Sequence, residues 1–216
     1  MDSSKTVEKI IPSIFERKFD LLVSKILLPI FPLFVKPNHI TFAGFAGGLF
    51  AALSFYLASW HKIWLVAAAF GVFIHLVADS LDGAVARERN QTSTRGYFLD
   101  QFLDILFFVA ICICIGFSSY AQFEIAGLGA ILYPFHMVII LHWINLKNRW
   151  PFPKFGPFEG HVSLIAIAIL TLYSPNTIFE LNGFSLGWFD LAIALSTFFS
   201  FIELLFSAYQ LFQELD

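Results

Sequence analysis

The chain has 216 residues, of which 58% are hydrophobic and 13% charged, and its net charge is −3. Soluble domains carry about 25% charged residues, and the mean hydropathy here is +0.75. These values exclude a disordered chain, a nucleic-acid-binding domain and an ordinary water-soluble globule. They leave a polytopic membrane protein with no room for a separate soluble domain.

Residues 1–36 form a charged preface containing Lys5, Lys9, Arg17, Lys18, Lys25 and Lys36. Within it Ile10, Ile11, Ile14, Phe15, Leu21, Leu22 and Ile26 recur at roughly helical spacing, and Lys25, Pro29 and Pro32 interrupt the apolar part. No small-residue cleavage site follows a clean apolar core, so the segment reads as an amphipathic helix in the membrane interface rather than a signal peptide. Six spans follow, at about 38–59, 63–87, 97–118, 125–146, 159–173 and 187–212, judged against about 20 residues per crossing. The first opens at Pro37-Asn38, with Asn38 as its N-cap. The expected fold is an all-α integral membrane protein, with an interfacial helix over 1–36 and a six-helix transmembrane domain over 37–216.

An even number of spans places both termini on one side. Of the 13 Lys and Arg, only Lys62 falls on the other side. The excess marks the termini as cytoplasmic. Cys112 and Cys114 are two apart in an apolar helix and do not face each other, so they read as helix filler.

The informative stretch runs from Asp79 to Asp104. Asp79, Asp82, Gly83 and Ala86 share one face at the end of the second span. Gly96, Asp100 and Asp104 share a face at the start of the third. The polar loop between them is short enough to bring the two helices together antiparallel, so four carboxylates converge near the cytoplasmic surface. Clustered carboxylates repel one another and are costly in a membrane. Divalent cations relieve both problems, and hard oxygen ligands suit Mg²⁺, Mn²⁺ or Ca²⁺ rather than zinc. Small residues on the same faces leave a ligand room to approach. Two other readings are an interfacial salt-bridge network with Arg87, Arg89 and Arg95, and an ion- or proton-coupled transport pathway. Same-face spacing with coincident glycines argues against the first. Against the second, no ionisable ladder continues to the far side apart from His75 and His136.

These residues match the signature of the CDP-alcohol phosphotransferase family, D-x2-D-G-x2-A-R-x8-G-x3-D-x3-D, at Asp79, Asp82, Gly83, Ala86, Arg87, Gly96, Asp100 and Asp104. Pro37-Asn38-His39-Ile40-Thr41 is similar to the family's P-N-x-(I/L)-T stretch. The resemblance covers nearly the whole chain. It implies transfer of a phosphoryl-alcohol group from a CDP-linked donor to an acceptor hydroxyl, with release of CMP and a lipid as one partner. It implies two divalent ions, Mg²⁺ or Mn²⁺, on Asp79, Asp82 and Asp100, with Asp104 contributing. It places the nucleotide against Gly83, Ala86 and Gly96, assigns Asp104 as general base, and suggests a homodimer. A non-catalytic relative that binds metal or CDP-lipid is the alternative. Arg87 either contacts the donor phosphates or holds the aspartates in place. Asn38 and Thr41 either contact the nucleotide or cap and pack the first span.

The acceptor stays open. Lys147, Arg149 and Lys154 either receive a phosphate-bearing acceptor or serve as positive-inside anchors. Glu159-Gly160 is similar to a Thr-Glu-Gly stretch of the choline- and ethanolamine-phosphotransferase branch, with Phe158 in place of Thr, and Gly44 leans the same way. Gly96-Tyr97-Phe98-Leu99-Asp100 looks more like a phosphatidylglycerophosphate synthase. Glu159 is a candidate partner for a cationic head group. Trp143, Trp150 and Trp188 form either a choline cage or an interfacial belt. His39, His61, His75, His136, His142 and His161 share no metal spacing, and His161 stands out for lying beside Glu159.

Overall fold

The computed structural model describes residues 8–9, 13–151, 156–181 and 184–215. Lys5, Ile10, Ile11 and Lys154 lie outside the described residues. The protein is an all-α membrane protein, and among the described residues five helices are long and apolar enough to cross a bilayer: α2 (Pro37–Leu57), α3 (Trp64–Glu88), α4 (Thr94–Gly116), α5 (Phe123–Lys147) and α7 (Trp188–Leu215). The sixth apolar helix, α6 (Pro157–Tyr173), has 17 residues. At 1.5 Å per residue it is about 25 Å long, a little short of a roughly 30 Å hydrocarbon core.

The preface contributes one helix, α1 (Ile14–Leu27). Ser13 caps it, its hydroxyl accepting from the Glu16 N–H at 3.2 Å. Val23 is buried with Ile40, Ala78, Leu81 and Val85 of α2 and α3. Phe15, Leu21, Leu22 and Ile26 are exposed on its other side. A 3₁₀ turn, Leu28–Ile30, leads into a proline-broken connection. Its carbonyls have no helical partner, and Arg89 at the end of α3 supplies one. The guanidinium donates to Phe31 at 2.9 Å, Pro32 at 3.2 Å and Val35 at 2.7 Å. Arg89 is therefore a strut for the backbone, in keeping with the argument against an interfacial salt-bridge network.

Helix α2 starts two residues earlier than a cap at Asn38 would place it. Its N-cap is Lys36 and Pro37 is the first helical residue, so Asn38 lies inside the first turn. Proline suits that position because its fixed φ is helical and its missing N–H is not needed there. The Asn38 side chain is thereby free to face α4.

Helices α2 and α3 approach closely through small residues. A Cβ on Gly71 would come within 2.7 Å of the Gly47 carbonyl, and one on Gly44 within 2.6 Å of the Ala78 Cβ. Lipid offers no hydrophobic drive between helices, so close backbone packing of this kind holds them together. Around the bundle the helices pack in the order α6, α3, α2, α4, α5, α7, and a slight α6–α7 contact closes the ring.

The end away from the carboxylates is held by polar contacts. Asp190 is buried and accepts the Gln122 and Gly187 N–H groups at 2.6 and 2.8 Å. Lys62, the exception to the charge asymmetry, donates to the terminal carbonyls of α6 at Thr171 (3.5 Å) and Ser174 (2.9 Å). Its role there is helix capping.

Among the described residues four short strands were not foreseen. β1 (Glu8–Lys9) pairs in parallel with β2 (Arg149–Trp150), and β3 (Phe179–Leu181) forms a hairpin with β4 (Phe184–Leu186).

Candidate active site

The aspartates sit where α3 ends and α4 begins. Asn90, with a positive φ of 52°, follows the last turn of α3, and asparagine tolerates that conformation. Ser93 then caps α4, its hydroxyl accepting the Gly96 N–H at 3.0 Å. This short reversal sets the two carboxylate-bearing faces side by side.

Asp79, Asp100 and Asp104 each offer a carboxylate oxygen, and these atoms lie within 4.8 Å of one another. Asp82 lines the same cavity, with Thr41, Gly44, Phe45, His75 and Leu103. Its Oδ2 accepts from the Thr41 hydroxyl at 2.5 Å. Three hard oxygen donors converging in one partly buried pocket fit an oxygen-preferring divalent ion. Uncompensated, the same charges would oppose the fold.

Residues 34–202 match the family model described as CDP-alcohol phosphatidyltransferase. The chain belongs to that family. It is 27% identical to cholinephosphotransferase 1 of Saccharomyces cerevisiae over 181 residues, covering 78% of this chain and 45% of the relative. Identity to the inner membrane protein YnjF of Escherichia coli is 35% over 101 residues, covering 47% and 46%. With the archaetidylinositol phosphate synthase of Pyrococcus horikoshii it is 32% over 97 residues, covering 45% and 49%. The chain spans about half the length of the curated relatives it matches.

Within the family motif the small residues have distinct surroundings. A Cβ on Gly83 would meet the Arg87 guanidinium at 3.1 Å, so the arginine lies over that glycine. Arg87 is exposed and, among the described residues, forms no ion pair with the four aspartates. A Cβ on Gly96 would lie 3.1 Å from Ser93 Oγ and 3.3 Å from Asn38 Oδ1. Gly96 thus admits the Asn38 side chain to the start of α4. Ala86 remains on the same face of α3, one turn beyond Asp82.

Other candidates from the sequence are engaged elsewhere. Lys147 donates to the Glu214 backbone carbonyl, and Arg149 Nη1 lies 3.4 Å from Glu214 Oε2. Both tie the end of α5 to the end of α7, outside the aspartate cavity. Glu159 accepts the Gly156 N–H at 2.7 Å and the Ser13 hydroxyl, so its carboxylate caps α6 and fastens α1 to it. The tryptophan cage does not form. The Trp143 indole is buried and donates to the Ser207 hydroxyl at 3.0 Å. Trp188 begins α7 beside the Gln122–Asp190 contact, at the end of the bundle opposite Trp150.

The sequence reading passed over an aromatic stack beside Asp104. His75 lies on Phe107 with ring centroids 3.7 Å apart, and His161 stacks on both at 5.2 and 5.3 Å. His75 Nε2 is 3.7 Å from Asp104 Oδ1. A local signal existed: His75 precedes Asp79 by four residues and Phe107 follows Asp104 by three, so each shares a face with its aspartate.

Proposed function

We propose that this chain transfers a phosphoryl-alcohol group from a CDP-linked donor to an acceptor hydroxyl, with release of CMP, in phospholipid synthesis. The observation that carries the reading is the convergence of Asp79, Asp100 and Asp104 on the family's own motif. Asp79, Asp100 and Asp104, with Asp82 beside them, would hold Mg²⁺ or Mn²⁺. Such ions, when bound, offset the diphosphate's charge and favour departure of CMP. The cavity is lined by Thr41, Gly44, Phe45 and the aspartates. It takes the reacting end of the donor, while cytidine rests on the small residues Gly83, Ala86 and Gly96. Asn38, at Gly96, and the exposed Arg87 are placed to meet that nucleotide and its phosphates.

Asp104 is the general base. It takes the proton from the acceptor hydroxyl as that oxygen bonds to the donor's distal phosphorus. The bond from this phosphorus to the bridging oxygen breaks, and CMP leaves with the electron pair. Thr41 holds Asp82 in its orientation. The aspartate end faces the cytoplasm, because the Lys and Arg of the preface and of the loops after α3 and α5 gather there. Helix α1 lies in the interface with its exposed apolar residues toward lipid, and two chains form the assembly.

The test is CMP release by the full chain in nanodiscs with Mg²⁺ or Mn²⁺. One set of reactions pairs CDP-diacylglycerol with glycerol phosphate, inositol phosphate, inositol or serine. The other pairs CDP-choline or CDP-ethanolamine with diacylglycerol. Metal-dependent CMP release in one pairing, lost in Asp104→Asn, supports the reading and names the acceptor. Folded protein that releases no CMP in any pairing refutes it for these substrates.

A further inference from the structure

The histidine nearest the carboxylates has no place in the reaction described so far. His75 is 3% exposed, and its ring is clamped by Phe107 on α4 and His161 on α6. From the α2 side Gly48 abuts the same stack: a Cβ there would meet Phe107 Cδ2 at 2.4 Å and His75 Cδ2 at 2.8 Å. The imidazole therefore cannot turn, and its Nε2 points at Asp104 Oδ1 from 3.7 Å. Among the described residues its buried Nδ1 has no hydrogen-bond partner.

A phenyl ring would stack in this place with no polar atom to desolvate. An imidazole leaves a buried nitrogen unpaired, which is costly. The atom that offsets this cost is Nε2, the one facing the carboxylate. For it to donate, the proton sits on Nε2 and Nδ1 is the bare acceptor. The 3.7 Å separation exceeds the usual hydrogen-bond range of about 2.7–3.2 Å, and contacts of this kind close up when substrate fills a site.

We propose that His75 is a positioning residue for Asp104. Its Nε2–H holds one carboxylate oxygen and leaves the other facing the acceptor hydroxyl. The stack supplies the rigidity, because a ring held by three helices fixes the donor direction. This inference rests on the reading of Asp104 as general base.

The test uses His75→Phe, which keeps a ring but removes the N–H, and His75→Gln, which keeps an N–H but removes the ring. Both are made in the full chain in nanodiscs. CMP release, Mn²⁺ binding and thermal stability are measured on each. His75→Phe is expected to lower kcat by about tenfold to a hundredfold. Its KM for the CDP donor, its Mn²⁺ binding and its stability stay at the wild-type level, and His75→Gln recovers part of the lost kcat. An unchanged kcat in His75→Phe overturns the proposal. So does loss of Mn²⁺ binding and stability in both variants, which would make the stack a packing element only. Wild-type protein and Asp104→Asn run alongside. A silent wild type, or an Asp104→Asn variant as active as wild type, refutes the general-base reading itself and not the role of His75 alone.

Discussion

Gly48→Ala adds a single methyl group where four helices meet. That methyl would lie 2.4 Å from Phe107 Cδ2, 2.8 Å from His75 Cδ2 and 3.0 Å from Phe107 Cε2. Non-bonded carbons rest at about 3.5–4.0 Å, so roughly 1 Å of overlap has to be relieved. Neither ring can swing aside, because His75 and Phe107 stack on each other and His161 covers both. The backbone of α2 must move away from α4 instead. Overpacking of this kind costs about 1–3 kcal/mol. Alanine's better helix propensity returns up to about 1 kcal/mol. Gly127→Ala calibrates that return, since a Cβ there meets nothing within 4 Å. Gly48→Ala is therefore expected to be less stable than Gly127→Ala by about 1–3 kcal/mol, and to release CMP more slowly. Reversible unfolding in mixed micelles of rising dodecyl sulfate fraction measures the first quantity, and CMP release the second. Equal stability of the two alanine variants, with wild-type activity in both, would refute the close packing of α2 on the stack.

Two further outcomes bear on the carboxylates. Chelation should abolish CMP release, and Mg²⁺ or Mn²⁺ should restore it more fully than Ca²⁺, with the recovery followed by titration of each ion. Thr41→Val removes the 2.5 Å hydrogen bond to Asp82. A hydrogen bond to a charged group contributes about 1.5–3 kcal/mol, so the Mg²⁺ concentration for half-maximal activity should rise by roughly tenfold or more.

The parts of this fold that repeat along the chain could be read before any coordinates. The six apolar helices begin and end within about three residues of the predicted bounds, because span length and hydropathy are properties of one segment. The aspartate pairs were legible for the same reason: helical spacing and one short loop bring them together. What escaped the sequence joins residues far apart in the chain. Ser13 meets Glu159 across 146 positions, and Trp143 meets Ser207 across 64. No local period encodes such a partner. Glu159 could therefore be read as a substrate contact, and Lys147 and Arg149 as substrate contacts or anchors, while their partners on other helices stayed out of sight. Asn38 was misplaced by two positions because asparagine is a good N-cap and proline a better first residue, and the proline decided the start. The His75 contact with Asp104 was half visible. Its face could be inferred, but the fixing of the ring depends on α2 and α6.

Helix α7 docks through buried Phe189, which meets Phe55 and Tyr120, through Leu211, and through a set of polar side chains. Asp190, Ser207 and Glu214 make its polar contacts to Gln122, Trp143, Lys147 and Arg149, and Glu203 lies 3.8 Å from His136. Phe198, Phe199, Phe201, Phe206 and Phe212 face outward. In lipid an outward phenylalanine does no more for helix docking than another apolar side chain of similar bulk. The identity of α7 thus resides in the buried Phe189 and Leu211 and in four polar letters spaced along the helix. Its outer face is free to drift among apolar residues, while a change at buried Asp190 or Ser207 loosens a whole span.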